Sequence, residues 1–203
     1  MSRRIKIAKD IDTEIEVSGN KKRDTEAVCY VNSDKYLYRR AFSETQLLNI
    51  LTIEKDRSYN VMTGGDVDGL SYLKVILRSI DKLDYLLIST WVISPEDICQ
   101  IQEWQSKNKI NTVDMYVGEI FPTSYRGAWA MLNEWKEKGG INRLCCFRNH
   151  SKIIAGYGDG MYFSVSMSCN INTNPRTENA VLFTDKGTFS FYEDFFDKIN
   201  SIV

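Results

Sequence analysis

Residues 143–184 read RLCCFRNHSKIIAGYGDGMYFSVSMSCNINTNPRTENAVLFT, in which four apolar segments alternate with polar ones. The apolar segments lie at 143–147, 152–155, 161–167 and 180–184, and each is short and bounded by polar or turn-forming residues. Short apolar runs of this kind are typical of β-strands. The stretch therefore predicts a region of sheet whose strands are joined by polar loops.

A set of chemically active side chains lies beside these predicted strands. His150, the only histidine of the chain, precedes Lys152 by two residues, and Ser168 precedes Asn170 by two. Residues two apart on a strand point to the same face, so each pair would project together. The pairs supply a nucleophile, a cation and neutral donors, which a site needs to cleave a phosphate ester through a covalent intermediate. A lone histidine near a strand is more often a structural or surface residue, and that alternative stands beside the catalytic one.

The order of these residues resembles the motif of the phospholipase D superfamily. In that motif His-x-Lys is followed by Asp, then by Gly-Ser-x-Asn, and further along the chain by Glu. The matching positions are His150, Lys152, Met167 in place of the glycine, Ser168, Asn170 and Glu178. The run SCNINTNPRTE at 168–178 is also similar to a branch of the superfamily found on phages and mobile elements.

Two positions depart from the motif. Where the superfamily Asp is expected, this chain has Tyr157, and the nearest acid is Asp159. Met167 replaces the glycine that precedes the serine. In the superfamily that Asp supports the site and is not its nucleophile. The departures therefore weaken the resemblance and leave its catalytic part in place.

The resemblance implies a role for each matching residue. His150 would be the nucleophile and form a phosphohistidine, while Glu178 would orient the other nitrogen of its ring. Lys152 and Asn170 would hold the non-bridging oxygens of the phosphate. Ser168 would add a further hydrogen bond. All of these roles are expectations carried over from the superfamily.

The resemblance also implies partners for the site. Arg176 or Arg148 would bind a phosphate that flanks the one being cleaved. Members with one motif per chain pair as two-fold homodimers, so that the partner's histidine supplies the acid for the leaving group. Neither a metal ion nor a cofactor is implied. With one histidine and no spaced Cys-x-x-Cys, the chain also lacks most ligand patterns of zinc sites.

The rest of the chain alternates predicted strands and helices. Further strands are expected at 27–38, 59–62, 85–92 and 112–117. Helices are expected at 44–53, 70–80, from an N-cap at Ser94 onward, at 125–138 and at 188–202. This order predicts an α/β fold with a mixed β-sheet flanked by helices, as the resemblance to phospholipase D also implies. We expect an N-terminal extension with strand character at 1–40 and one phospholipase D-like domain at 41–203.

Composition narrows the class of protein. The 203 residues are 43% hydrophobic and 26% charged with a net charge of −1, which excludes wholesale disorder and a uniformly basic DNA binder. Residues 139–177 contain four basic side chains and one acid. A cationic site on a neutral protein suits a phosphate-bearing substrate, and a few solvated arginines would give the same local charge.

Cysteines and hydropathy predict the compartment. The five cysteines include the adjacent pair Cys145 and Cys146, which does not favour a disulfide. We therefore expect reduced, buried cysteines in a cytoplasmic protein. Neither a signal peptide nor a membrane span is predicted, since no apolar run approaches about 18 residues.

Two kinds of residue near the motif have ordinary structural interpretations. Cys169, placed between Ser168 and Asn170 on a strand, would face away from the site and is expected to be buried. The four tryptophans could stack on nucleic-acid bases, but two of them share one predicted helix. Packing in the core or between helices is therefore expected for Trp91, Trp104, Trp129 and Trp135.

These observations favour a metal-independent phosphodiesterase that acts on nucleic acid through His150. Cleavage of phospholipid by the same motif is a second enzymatic interpretation, although no apolar membrane-binding stretch is visible. A third is a catalytically weakened protein of the same fold that binds nucleic acid or phosphate. The departures at Tyr157 and Met167 are what keep this third alternative open.

Overall fold

The computed structural model describes residues 4–5, 15–16, 30–33, 36–172 and 176–202. Most of the predicted extension at 1–40, and residues 173–175 of the motif, lie outside this part of the chain. The division into an extension and a domain stays a prediction. Its boundary at residue 40 falls inside a strand, Tyr36–Ser43, that belongs to the main sheet.

The strands and helices follow the alternation that the sequence predicts. The strands are β1 (Arg4–Ile5), β2 (Ile15–Glu16), β3 (Tyr30–Ser33), β4 (Tyr36–Ser43), β5 (Ser58–Asp66), β6 (Leu83–Thr90), β7 (Ile110–Gly118), β8 (Arg143–Phe147), β9 (Ile153–Gly158), β10 (Met161–Met167) and β11 (Glu178–Phe183). The helices are α1 (Glu44–Ile50), α2 (Gly69–Ser79), α3 (Pro95–Ser106), α4 (Phe121–Ser124), α5 (Arg126–Glu137) and α6 (Lys186–Phe196).

One large sheet organises the fold. Its nine strands lie in the order β3-β4-β5-β11-β10-β9-β6-β7-β8, while β1 and β2 pair separately. The pairs β4/β5, β6/β7 and β7/β8 are parallel. The pairs that join β5, β11, β10, β9 and β6 in turn are antiparallel. The predicted α/β class with a mixed sheet and helices is therefore confirmed.

Helices cover both faces of this sheet because its central strands are buried on both sides. Leu86 and Ile88 of β6 belong to a large core cluster that includes residues of α1, α2, α3 and α5. Tyr85 and Leu87 alternate with them and belong to a smaller cluster with Phe189 of α6. Alternate residues of a strand face opposite sides, so the sheet is the middle of three layers.

Capping residues fix where two of the helices begin. Ser94 accepts a hydrogen bond from the backbone N–H of Asp97, whose carboxylate accepts one back, and Pro95 occupies the first turn. Asp68 and Ser71 form the same reciprocal capping box at the start of α2. Such boxes satisfy backbone donors that the first turn of a helix leaves unpaired. Both helix starts lie within two residues of their predicted positions.

The last helix is shorter than predicted. It was expected to reach residue 202 but ends at Phe196, with Asp185 as its N-cap. The guanidinium group of Arg143 donates to the carbonyl oxygens of Asp197 and Ile199, which turns the chain toward β8. The backbone N–H of Ile202 then donates to the carbonyl of Cys146 at 2.8 Å. These contacts hold residues 197–202 along β8 and end the helix.

The cysteines differ from the expectation at one position. Cys145, Cys146 and Cys169 are free and buried, as predicted, but Cys99 on α3 is free and exposed. Cys29 lies outside the described residues. Within the described part of the chain, no helix combines the length and the apolar character that crossing a membrane requires.

Gly158 is a position where the sheet admits no side chain. A Cβ built there would lie 2.0 Å from the carbonyl oxygen of Lys82 and 2.8 Å from the Cα of Leu83. Both are backbone atoms, so relief requires β6 and β9 to move apart. We expect Gly158→Ala to lower the free energy of unfolding by about 2–3 kcal/mol, measured by urea denaturation.

The matched control for this change is Gly127→Ala. Gly127 is exposed in the first turn of α5, and a Cβ there meets no atom within 4 Å. Alanine also favours the helix more than glycine does. This variant should therefore lose no stability. Equal stability of the two variants would contradict the close approach at Gly158.

Candidate functional site

The direction of the strands brings the motif residues to one edge of the sheet. We call it the carboxyl edge because it is where the strands β5, β6, β7, β8 and β10 end. The antiparallel strands β9 and β11 begin there, as the strand pairing requires. His150 and Lys152 lie just before β9, Ser168 lies just after β10, and Glu178 is the first residue of β11. Because β10 is between β9 and β11, Ser168 is placed between Lys152 and Glu178. Ligands commonly bind outside the carboxyl ends of strands in α/β sheets.

The motif residues reach this edge from loops. His150 and Lys152 precede β9, and Ser168 and Asn170 follow β10. The prediction that strand alternation would align each pair was therefore wrong. Backbone pairing continues past the strand ends instead: the N–H of Met167 donates to the carbonyl of Lys152 at 3.1 Å, and the N–H of Ser168 donates to the carbonyl of Asn179 at 2.9 Å.

His150 is exposed and in contact with Lys152. The Lys152 ammonium lies 3.1 Å from Nδ1 and 3.5 Å from Nε2 of the ring, and it also donates to the His150 carbonyl at 2.6 Å. An ammonium group can only donate hydrogen bonds. A neutral imidazole can accept a hydrogen bond from this ammonium, and the neutral form is also the one that a nucleophile requires.

Lys152 is also close to Glu178. Partial burial lowers the pKa of the Lys152 ammonium below its usual value, and the negative charge of Glu178 acts in the opposite direction. Burial disfavours the charged form of lysine, and an opposite charge favours it. The carboxylate thus helps to retain a cation beside the histidine.

Ser168 and Glu178 form the other half of the site. The hydroxyl of Ser168 donates to Oε2 of Glu178, and it accepts from the backbone N–H of Asn179 at 3.0 Å.

Cys169 is 1% exposed, as predicted. Burial, reinforced by the charge of Glu178, raises the pKa of the Cys169 thiol to about 12, so it stays protonated near neutral pH.

The other predicted site residues, Asn170, Arg148 and Arg176, lie around this centre and differ in their exposure. The backbone carbonyl of Asn170 accepts from the N–H of Gly69 at 2.9 Å, and its side-chain Oδ1 is buried with no hydrogen-bond partner among the described residues. Arg148 precedes Asn149 in the loop after β8, and Arg176 follows the three residues outside the described range; both are exposed. The site therefore places exposed cations on the loops that flank His150 and Ser168.

A buried polar network fixes the loop that carries His150. Asn149 is 3% exposed, and its amide nitrogen donates to Ser89 Oγ at 2.9 Å and to the carbonyl of Tyr116 at 3.0 Å. Its amide oxygen accepts from the backbone N–H and the hydroxyl of Ser151. The hydroxyls of Ser89 and Ser151 lie 2.6 Å apart and complete the network. His150 is held between two residues that are tied to β6 and β7.

Sequence reasoning missed three residues at the carboxyl edge. Asn149 supports the histidine loop, and Trp91 lies against His150 with ring centroids 5.1 Å apart. Oε2 of Glu119, directly after β7, is buried and has no hydrogen-bond partner in the described part of the chain. Asn149 and Glu119 follow their predicted strands, 143–147 and 112–117, by two residues, so the rule that sites collect where parallel strands end would have selected them from the sequence. Trp91 lies inside the predicted strand at 85–92, and only the observed end of β6 at Thr90 places it at this edge.

Neither Tyr157, at the position expected for the superfamily Asp, nor Asp159, the nearest acid, reaches this site. Tyr157 stacks on Tyr85 and makes an edge contact with Phe189 under α6. Asp159 follows the end of β9 and accepts from the backbone N–H of Lys82 at 3.1 Å. The six residues of β9 separate it from Lys152, roughly 20 Å along an extended strand. Neither residue can take the place of the superfamily Asp beside His150.

Comparisons with known proteins give only a distant likeness. No protein-family model matches the chain. No curated protein matches it. Among 25 matching chains of solved structures is phosphatidylserine synthase from Haemophilus influenzae Rd KW20, with a TM-score of 0.44 and 12% identity. The matched region covers 68% of this chain and 37% of the synthase. A likeness of this size does not identify a family.

The donor groups of the described residues do not form a metal site of the usual kind. No group of three or more histidine, cysteine, aspartate or glutamate side chains is placed to hold a metal ion in the part of the chain that the structure describes. What the edge does offer is an exposed imidazole, an adjacent ammonium group and a serine paired with a carboxylate. These groups can attack and bind a phosphate ester.

Proposed function

We propose that this chain is a phosphodiesterase of the phospholipase D superfamily type, nuclease-like, and that His150 is its nucleophile. The observation that carries the proposal is the meeting of His150, Lys152, Ser168 and Glu178 at one edge of the sheet, from the β8–β9 loop and from the two ends of the β10–β11 connection. They are the residues that the sequence resemblance selects.

The reaction would proceed in two displacements at phosphorus. A ring nitrogen of His150 attacks the phosphorus atom, a P–N bond forms, and the P–O bond to the leaving group breaks. The departing oxygen takes a proton from an acid. Water then attacks the phosphohistidine, the P–N bond breaks, and the imidazole is released with a phosphate monoester as product.

Lys152 would change partners when the substrate binds. Its ammonium lies 3.1 and 3.5 Å from the two ring nitrogens of His150, and a phosphate oxygen carries more negative charge than an imidazole nitrogen. Moving the ammonium to the phosphate would free the nucleophile and stabilise charge on the phosphoryl group together. Asn170 and the loop residues Arg148 and Arg176 would contact the same phosphate or its neighbours. Glu178 would orient the imidazole ring of His150.

The test of the proposal is cleavage of labelled DNA and RNA oligonucleotides in the presence of excess chelator. The mechanism assigns the nucleophile and the cation to side chains, so turnover should be unchanged by EDTA. Cleavage that stops in EDTA and returns with magnesium or manganese would contradict it.

The four free cysteines of the described chain suit a reducing compartment. We therefore propose a cytoplasmic enzyme, and the assay should contain a thiol reductant.

A homodimer is the second prediction of this mechanism. The leaving oxygen needs an acid that works near neutral pH, which suits an imidazole, and the chain has one histidine. A two-fold dimer would bring a second His150 into the same cleft. Light scattering at micromolar protein should give about twice the 23.4 kDa mass of the chain. An active protein that remains monomeric throughout this range would refute the shared site.

A binding protein without turnover is the second candidate function. It is favoured by one observation: Tyr157 and Asp159 lie away from His150, so the superfamily Asp has no counterpart there. Such a protein would bind nucleic acid or phosphate through Lys152 and the flanking arginines. It would bind an oligonucleotide in the cleavage assay and leave it intact at every pH and metal condition.

A further inference from the structure

Trp91 differs from the other tryptophans of the chain. Trp135 is buried in the large core cluster, and Trp104 and Trp129 pack against that cluster, as the sequence predicts for all four. Trp91 is partly buried and belongs to neither hydrophobic cluster of the described residues. Core packing therefore does not account for this indole.

The backbone around Trp91 is fixed even though its side chain is not packed in the core. The hydroxyl of the buried residue Thr90 donates to the carbonyl of Val92 at 2.7 Å, across Trp91. Ile93 is 1% exposed, and the capped helix α3 begins directly afterwards. Trp91 is thus presented at the carboxyl edge from a short, rigid connection between β6 and α3.

Two neighbours set the position of the indole. A Cβ built on Gly118 would lie 2.9 Å from Cε3 of Trp91, so the ring rests directly against the glycine at the end of β7. The second neighbour is His150: the centroids of the indole and imidazole rings are 5.1 Å apart, and the two ring planes are inclined by 56°. A partly exposed indole thereby stands next to the proposed nucleophile, and Arg148 and Lys152 are the cations on the loop that carries His150.

We propose that Trp91 is a stacking platform for a nucleic-acid base adjacent to the scissile phosphate, and that the site takes single-stranded nucleic acid. This inference rests on the proposed function of His150. A base has a flat π-face that stacks on indole whatever its sequence, while cations alongside hold the backbone. In a duplex those faces are already covered by neighbouring base pairs, so a platform at this position selects unpaired strands.

The experiment measures binding separately from cleavage. Probes are a fluorescein-labelled single-stranded DNA of about 12 nucleotides, the same strand with abasic residues at its centre, and the annealed duplex. Fluorescence anisotropy gives the dissociation constants for the wild-type chain and for Trp91→Leu. Loss of one stacked base should weaken binding of the intact strand by about 5- to 150-fold and leave binding of the abasic strand unchanged. An RNA strand of the same sequence, run in parallel, tells which sugar the site prefers.

Trp104→Leu is the matched control. Trp104 lies near the end of α3, where its carbonyl accepts from the N–H of Lys109, just before β7 begins. It is therefore at the edge opposite the site, and its loss should leave all three dissociation constants unchanged. Equal weakening by the two tryptophan variants would mean that lost packing, not stacking, causes the effect, and would overturn the proposal.

Turnover separates this inference from the proposed function. If the wild-type chain cleaves no probe but Trp91→Leu still loses base-dependent binding, the nuclease proposal fails and the stacking platform stands. If the wild type cleaves and Trp91→Leu lowers kcat equally on the intact and abasic strands without changing KM, Trp91 only positions His150. That result, or preferential binding of the duplex, refutes the platform.

Discussion

Replacing His150 with asparagine is expected to lower phosphodiester cleavage by about a thousandfold or more, since removal of a nucleophile leaves only binding and charge stabilisation. Asparagine keeps the size and polarity of the side chain and cannot form the P–N bond. The measurement is single-turnover cleavage of an end-labelled oligonucleotide in EDTA, compared with wild type at equal protein concentration. Cleavage at the wild-type rate would place the chemistry elsewhere in the chain.

Folding does not confound this test. His150 is exposed and contacts Lys152 and Trp91 at the edge of the sheet. The thermal midpoint of His150→Asn should therefore equal that of wild type within a degree or two, because exposed substitutions change stability little. Lys107→Met, which removes an exposed cation on the loop after α3, is the matched control for activity and should cleave normally.

If His150 is the nucleophile, a covalent intermediate between the protein and the substrate should be detectable by mass. Wild-type protein mixed with substrate and quenched in base should carry a transient mass increase equal to the phosphoryl-linked fragment. His150→Asn should carry none. A binding protein without turnover would show no adduct in either form, so the same measurement distinguishes the two candidate functions.

The order of the elements was predictable because local signals agree with the fold. The strongly apolar run that begins at Tyr85 predicts the buried strand β6, and Ser94, Pro95 and Asp97 mark a helix start in the sequence itself. The end of α6 was not predictable in this way. It is set by Arg143, which is distant in sequence and captures the carbonyls of Asp197 and Ile199.

The candidate site was likewise predictable from the sequence only in part. The sequence selects His150, Lys152, Ser168 and Glu178, but it suggests strand alternation as the reason for their meeting. In the structure they meet because β10 lies between β9 and β11, which is a property of the strand order. Asn149 and Trp91 have no motif of their own, since their roles depend on contacts with β6 and β7. Long-range pairing therefore decided what local patterns could not.

The largest expected loss of stability follows from Asn149→Leu. Leucine has the same number of side-chain heavy atoms and the same branch point but can neither donate to Ser89 and Tyr116 nor accept from Ser151. Buried polar groups left unpaired cost about 1–3 kcal/mol each, and the two serine hydroxyls can still pair with each other. We expect the free energy of unfolding to fall by about 3 kcal/mol, measured by urea denaturation, and an unchanged denaturation midpoint would contradict the network.

The same variant tests whether the network positions the nucleophile. Asn133→Leu is the matched control, because Asn133 on α5 makes one hydrogen bond, to the carbonyl of Trp129 at 2.8 Å, on a partly exposed helix face. Its loss should cost less than about 1 kcal/mol. The chain has a single histidine, so its imidazole NMR signals report on His150 alone. They should shift or broaden in Asn149→Leu and stay in place in Asn133→Leu. A destabilised Asn149→Leu protein with unmoved imidazole signals would leave Asn149 a purely structural residue.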